Sequence, residues 1–407
     1  MTNTTMAITF RRTLRPVGHG AFFTEQFFHE GFENPIFNVV YDCGSLTSTI
    51  LEGKINETFV SNDHIDLLFI SHFDKDHVNG LNILAKGRID DRTIVFIPFK
   101  FPFLVMAMDE DYPEISRFIS TFAEQGVHFF GIDAYEGELP EYLREGDNFE
   151  RPFDELLKEY TERTDAGKVS VYLAEIIISI DLGTNAPIWR YKPFMHKKDY
   201  SSKSEQFLSE VKKKLPGINL NSSDDILNNI NNLRDIYTTI GRQENGVTNI
   251  NINSLMLLSF PAKDIVETIS CQHNKNKYNP LIGKDLYTGV PVNYSLRLSC
   301  LYTGDTTLQY NYFDEVINYT FSILRHYLYV DKLGMMQIPH HGSKYCYPES
   351  LAGCNNIESA FLNFVPYSKN GAIIYKIIRD FMFVKPLFFV TNEDESRFEL
   401  SVILSES

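Results

Sequence analysis

Ile65-Asp66-Leu67-Leu68-Phe69-Ile70-Ser71-His72-Phe73-Asp74-Lys75-Asp76-His77 is the stretch on which the fold turns. Ile65 to Ile70 is a near-continuous apolar run, as expected of a strand buried on both faces. It breaks off into two imidazoles and two carboxylates, His72, Asp74, Asp76 and His77. From Val78 to Leu84 apolar residues recur at helical spacing, so the cluster sits on a strand-to-helix turn. A strand end is rigid, and the turn after it splays side chains toward one pocket, where such groups can hold one or two divalent cations. Asp-Lys-Asp-His alone would be an ordinary solvated turn, and Lys75 reads that way. His-x-Asp-x-Asp-His after a buried strand is the specific pattern.

Two later stretches have the same design. Leu301-Tyr302-Thr303-Gly304-Asp305-Thr306 is a strand ending in Gly-Asp, and Ile338-Pro339-His340-His341-Gly342-Ser343 is a strand ending in paired histidines. Three loops at strand ends, each with ligand-type residues, could converge at one edge of a sandwich.

Working outward, Ala7 to Phe10, Ala21 to Phe28 and Phe37 to Tyr41 read as strands, with Gly18-His19-Gly20 and Asp42-Cys43-Gly44-Ser45 as turns beside them. Thr93 to Phe99 is a further strand, and Pro113 to Gly126 an amphipathic helix. From Asp133 to about Ile250 charge is dense, with helices expected at about Ser202 to Leu215 and Asp224 to Gln243, divided by Pro216-Gly217. Strands return at Ser254 to Leu258 and Leu296 to Tyr302, with a polar loop from Cys271 to Tyr294 between them. A helix (about Leu308 to Val330), a second (Ala372 to Phe381) and a strand (Leu387 to Val390) complete the chain. The organisation expected is 1–130 as one half of the fold, 131–250 as a partly helical insertion or elaboration and 251–407 as the other half. Strands and helices mixed in both halves imply an α/β sandwich.

Composition narrows the class. With 407 residues, 43% of them hydrophobic, the chain can bury a large core. A formal charge of −15 argues against a broad basic surface tracking nucleic acid, though not against a local basic groove. Five scattered cysteines without a CxxC pair suit reduced thiols better than a disulfide framework. Met1 to Phe10 lacks the pattern of a secretion signal, and no apolar run reaches the ~20 residues of a membrane span, so a cytoplasmic protein is expected.

In order along the chain, His-x-Asp-x-Asp-His, Thr-Gly-Asp and His-His-Gly-Ser resemble the metallo-β-lactamase superfamily, and within it the ComEC-type branch, named for the hydrolase domain of a DNA-uptake protein. Val17-Gly18-His19-Gly20-Ala21 resembles that branch's opening Val-Gly-Gln-Gly-Asp. Tyr41-Asp42-Cys43-Gly44 is similar to its Ile-Asp-Cys-Gly, and Asn253-Ser254-Leu255 to its Asn-x-Ser-Leu. The likeness covers roughly residues 7 to 105 and 250 to 395. It implies a four-layer αββα metallo-β-lactamase sandwich with a helical insertion. His72, Asp74 and an unidentified ligand would form one metal position. Asp76, His77 and one of His340 and His341 would form the other, with Asp305 bridging and Asp42 as a supporter of the site. Asp76, His77 and Asp305 would carry the catalysis. The chain departs from the pattern in two places. The isolated third-motif histidine has no clear equivalent, since His196 and His273 lie in polar, lysine-rich segments that suit solvated residues. The branch's late Gly-His-Pro corresponds to Lys369-Asn370-Gly371-Ala372, without histidine.

If His340 and His341 continue a strand they face opposite sides. His341 is then favoured as ligand, and His340 would support it or hydrogen-bond the substrate. Ser343 lacks the Gly-x-Ser-x-Gly elbow of a nucleophile, and Lys344 reads as a phosphate contact or a solvated residue. A carboxylate-rich shell tilts the metal toward manganese or magnesium, with zinc also compatible, as one or two ions. The resemblance implies a metal-dependent hydrolase, a phosphodiesterase or nuclease acting on DNA or RNA through a metal-activated water. The alternatives are a hydrolase of a small phosphodiester or other ester, and a catalytically weakened assembly subunit. The substrate expected is a nucleic acid or nucleotide, the helical insertion could dock a protein partner, and no membrane is involved.

Overall fold

The computed structural model describes residues 7–60, 63–98, 118, 121–122, 125–132, 134–135, 150–161, 170–172, 176–184, 186–196, 200–218, 229–241, 254–262, 265–268, 298–308, 311–365, 371–382 and 384–406. The chain opens with β1 (Ile8–Leu14), β2 (Phe22–His29) and β3 (Phe37–Cys43), then α1 (Ser48–Thr58) and β4 (Leu67–Phe69). Two short helices, α2 (Lys75–Val78) and α3 (Leu81–Leu84), precede β5 (Ile94–Pro98), β6 (His128–Ile132) and β7 (Ala134–Tyr135). Next come β8 (Glu150–Pro152), α4 (Phe153–Thr161), β9 (Ser170–Tyr172), β10 (Ile177–Ile180) and β11 (Trp189–His196). Helices α5 (Tyr200–Lys214) and α6 (Ile230–Gly241) lead to β12 (Met256–Pro261), β13 (Ile265–Thr268) and β14 (Cys300–Tyr302). The remainder is α7 (Asn311–Leu328), β15 (Leu333–Gln337), β16 (Ile357–Asn363), α8 (Gly371–Phe381), β17 (Leu387–Val390) and β18 (Phe398–Glu406).

Two sheets result. One runs β13-β18-β1-β2-β3-β4-β5-β6-β9, and the other β17-β16-β15-β14-β12-β11-β10-β8. Period-two alternation assigns the faces. On β3, Phe37, Val39 and Tyr41 enter the core between the sheets and Val40 turns outward; the irregularity at Asp42 breaks the alternation and turns Cys43 outward too, onto Leu51 and Ile55 of α1. On β12, Leu257 points inward, while Met256, Leu258 and Phe260 join Phe313 and Ile317 of α7 and Ile377 of α8. Helix, sheet, sheet and helix therefore stack as a four-layer α/β sandwich, the architecture of the metallo-β-lactamase fold.

The space between the sheets also holds charge. Arg12 on β1 and Glu25 on β2 are 1% and 2% exposed, yet pair at 2.7 Å. Arg12 also donates to Tyr302 Oη (3.0 Å), the Leu298 carbonyl (2.8 Å) and Ser259 Oγ (3.2 Å). The Glu25 carboxylate in turn accepts from Tyr302, Tyr191 and Ser259.

Within the stretch 131–250, strands β8, β10 and β11 extend the second sheet and β9 the first, and β11 pairs with β12 along Trp189 to Phe194. Arg190 and Lys192 made this segment read as polar, but Trp189, Tyr191 and Met195 face the inter-sheet core. Within the stretch, α5 and α6 pack against each other. The expected helix over 113–126, the loop over 271–294, His273, Asn253 and Lys369-Asn370 fall largely or wholly outside the described residues. Among the described residues, no helix is long and apolar enough to cross a membrane.

Candidate metal centre

Strands β3, β4, β5 and β6 run parallel, as do β14, β15 and β16. Ligand sites in α/β sheets lie beyond the carboxyl ends of parallel strands, and here those ends deliver Asp42, His72, Asp305 and the His340-His341 pair to one rim. The loops are held closely. The Leu255 amide donates to the Ser71 carbonyl (2.7 Å), joining the sheets at the site. Gln337 Oε1 accepts from the amides of Thr303 (2.9 Å) and Gly304 (3.1 Å), which sets the turn before Asp305. Gly304 has φ +54°, and a Cβ there would stand 2.7 Å from Ser71 Cβ. No other residue fits both demands.

Asp42 lies under the site as a hub. Its carboxylate accepts from the Ser71 amide (2.7 Å), the Ser71 hydroxyl (2.6 Å) and His77 Nδ1 (2.8 Å). With its proton committed to Asp42, Ser71 Oγ can only accept from His72 Nδ1, 2.9 Å away. His72 and His77 thus both carry their proton on Nδ1 and present a bare Nε2. Those two Nε2 atoms are buried and make no well-formed hydrogen bond. They face the Asp305 carboxylate at 3.6 and 3.3 Å.

These separations decide between a protein-only cluster and a cation site. Donors about 2.0–2.1 Å from a tetrahedral ion stand about 3.3 Å from one another, close to what is found. Buried bare nitrogens aimed at a carboxylate without a hydrogen bond are costly unless a cation joins them. His72, His77 and Asp305 therefore fit a divalent metal.

A second group adjoins the first. His341 Nδ1 donates to the Asn363 carbonyl (3.0 Å), which turns Nε2 to Asp76 Oδ2 at 3.1 Å. The His19 ring lies 4.2 Å from the His341 ring, and one ligand atom each from His19, Asp76 and His341 lie within 4.8 Å of one another.

The grouping differs from the expected one. Asp76 and His77 are neighbours on α2 and so face directions about 100° apart, His77 toward Asp42 and Asp305, Asp76 toward His341. Asp74 precedes that helix with extended backbone, and its carboxylate stands 3.7 Å from His72 Nε2 at the rim, outside both groups. His340 and His341 do not continue a strand, because β15 ends at Gln337 and both adopt left-handed backbone (φ +50° and +51°). The alternation rule thus has no purchase on them. His340 Nδ1 meets Cys346 Sγ at 3.1 Å, while its Nε2 is 3.5 Å from Asp305. Ser343 builds the turn, its carbonyl accepting from the Cys346 and Tyr347 amides, and Lys344 lies exposed over the Tyr345 ring at 4.6 Å. His196 is buried rather than solvated, paired with Glu315 at 2.8 Å and in neither group.

Electrostatics follow the same geometry. Burial opposes charge on His77, but Asp305 and Asp42 outweigh it and hold the ring well above the usual imidazole range. Burial would raise the Asp305 carboxyl, yet His77 and His72 bring it well below the ordinary value. Burial and the neighbouring His77 lower His72, and burial with His341 lowers His19 to about 4. Strain collects here too. Of the five non-glycine residues with positive φ among those described, Asp42, His340 and His341 belong to this rim. Such residues cost about 1–3 kcal/mol each and cluster at functional sites.

His19 is the ligand-type residue that sequence reasoning passed over. Its signal was the turn Gly18-His19-Gly20, where the resembling branch carries glutamine. The two groups together bring four imidazoles and two carboxylates, a donor set that could hold a divalent metal.

No curated protein matches the chain. Residues 34–217, which include the loop His72 to His77, match the model of the metallo-beta-lactamase superfamily, whose members are metal-dependent hydrolases that typically bind zinc.

Proposed function

We propose that this protein is a metal-dependent phosphodiesterase whose substrate is a nucleic acid or nucleotide. The observation that carries the reading is the buried pair of bare Nε2 atoms, on His72 and His77, aimed at Asp305. The order of motifs, which resembles the ComEC-type branch, supports a phosphodiester over other esters. A bound divalent cation would polarise a substrate oxygen and lower the pKa of an attacking water. The chain's own residues do the rest. Asp42 and Asn363 fix the tautomers of His77 and His341 through Nδ1, the outer-sphere arrangement that keeps imidazole ligands oriented. His340, about one-third exposed (34%) and facing Asp305, is placed to hydrogen-bond a phosphate oxygen entering the mouth. On the same loop, the exposed Lys344 and Tyr345 offer a cation to phosphate and a ring to a base.

The charge of −15 favours a small phosphodiester or a chain end over a long duplex laid across the surface. The deciding assay incubates the protein with Zn²⁺, Mn²⁺ or Mg²⁺ and single- or double-stranded DNA, RNA or bis(p-nitrophenyl) phosphate, beside an Asp76→Asn/His77→Ala control. Polymer cleavage that the control lacks supports the nuclease, and turnover of the small diester alone supports the narrower reading. Absence of turnover on every substrate would refute both and leave an assembly role.

A further inference from the structure

We propose that His19 is a metal ligand, completing with Asp76 and His341 a second cation position whose donors match those of His72, His77 and Asp305. The assignment rests on the metal-centre reading above and adds to it a ligand from the β1–β2 turn, a part of the chain to which the resemblance assigns no metal-binding role.

Three observations carry it. First, one ligand atom each from His19, Asp76 and His341 fall within 4.8 Å of one another, and the His341–Asp76 separation of 3.1 Å is that of two donors on one ion. Second, the turn bearing His19 is anchored on every side. The Gly18 amide donates to the Thr391 carbonyl (3.0 Å), the Leu46 amide to the His19 carbonyl (2.8 Å) and the Ala21 amide to the Asp76 carbonyl (3.1 Å). Asn363 Nδ2 donates to the Gly20 carbonyl, so one residue ties both this turn and His341. Third, the turn is pressed onto the metal loop. A Cβ at Gly20 would lie 2.3 Å from the Gly44 carbonyl and 2.8 Å from that of Asp76, so glycine is what lets His19 approach. A histidine that merely packed on His341 would need none of this registration with the backbone of Asp76.

Each position then has two imidazoles and one carboxylate, leaving room for water or substrate at a fourth site, as in catalytic zinc centres.

The test is metal stoichiometry, which does not depend on activity. Purified chain is titrated with Zn²⁺ by calorimetry and its content measured by elemental analysis, with Co²⁺ absorption as a geometric readout. The wild type is expected to bind two ions. His19→Ala and His19→Gln should keep one and weaken the other at least about tenfold, with part of the Co²⁺ visible band lost. His19→Glu, which restores a donor, should recover the second ion, and His72→Ala should lose the other one. Should His19→Ala fail to fold, His19→Gln carries the same test, since glutamine preserves a polar side chain of similar reach. Two ions of unchanged affinity in both variants would overturn the assignment. If the wild type binds two ions, loses one in His19→Gln and hydrolyses no phosphodiester, the ligand assignment stands and the functional reading falls.

Discussion

Among the described residues, two buried clusters of charge are built to opposite ends. Between the sheets, every nitrogen of Arg12 and both oxygens of Glu25 have protein partners, drawn from Tyr191, Ser259, Leu298 and Tyr302. At the rim, hydrogen bonds accumulate on the far side of the rings, on Nδ1 of His72, His77 and His341, and the Nε2 atoms of His72 and His77 are left bare. The first network closes on itself. The second is satisfied from behind and open in front. Burial and charge alone do not mark a functional site; what marks it is that the support is one-sided.

The contrast can be broken by substitution, and the largest effect should come at the rim. Asp305→Ala should cut hydrolysis roughly 10²–10⁴-fold, the several kcal/mol a metal supplies at about 1.36 kcal/mol per decade. Its unfolding midpoint in urea, measured without metal, should move little. If that variant unfolds as readily as a core variant, the distinction fails. Glu25→Leu should destabilise the fold by about 3–5 kcal/mol in the same urea titration, because Arg12 is left buried without its carboxylate. Arg12→Met with Glu25→Leu should cost less than Glu25→Leu alone, and a larger cost would show that the network does more than satisfy itself. Asp42→Asn tests the support: zinc affinity should fall about 10–100-fold while stoichiometry is kept, as read by competition with a chromophoric chelator.

The smallest effect concerns a third carboxylate that belongs to neither cluster. Asp66 accepts from the Asn38 amide at 2.7 Å, yet burial raises its pKa to about 7. Unfolded, it titrates near 3.9. Between these values the folded chain binds the extra proton, so stability present below pH 4 is lost as pH rises toward 7. Asp66→Asn should flatten that slope in urea titrations at pH 5 and pH 8. An unchanged slope would place the pH dependence elsewhere.

Local pattern exposed much of this to sequence reading. The apolar run before His72, the Gly304-Asp305 turn and His340-His341 each carry their signal within a few residues, and the structure brings them to one rim. What pattern could not show was how neighbours divide their directions. Whether Asp76 and His77 share a partner depends on a single helical turn, and whether His340 and His341 oppose each other depends on where β15 stops. Strand β11 escaped because Arg190 and Lys192 alternate with Trp189 and Tyr191 and Pro193 breaks the run, and only the core it meets, around Trp189, identifies it. His19 escaped because its partners lie 57 and 322 positions away, at Asp76 and His341. Sequence spacing says nothing at that range.

The two trios have one further property. Each draws donors from both sheets: His72 and His77 against Asp305 in one, His19 and Asp76 against His341 in the other. A cation in either place would act as a clasp across the open edge of the sandwich. Holding metal would then require that the two halves of the chain have already met, so capture would come late in folding, after the long-range pairings that set its pace. At a free concentration a thousand times the dissociation constant, each clasp would add about 4 kcal/mol to stability. A chelator would therefore loosen the halves at this rim while the Arg12–Glu25 knot still held them at the centre.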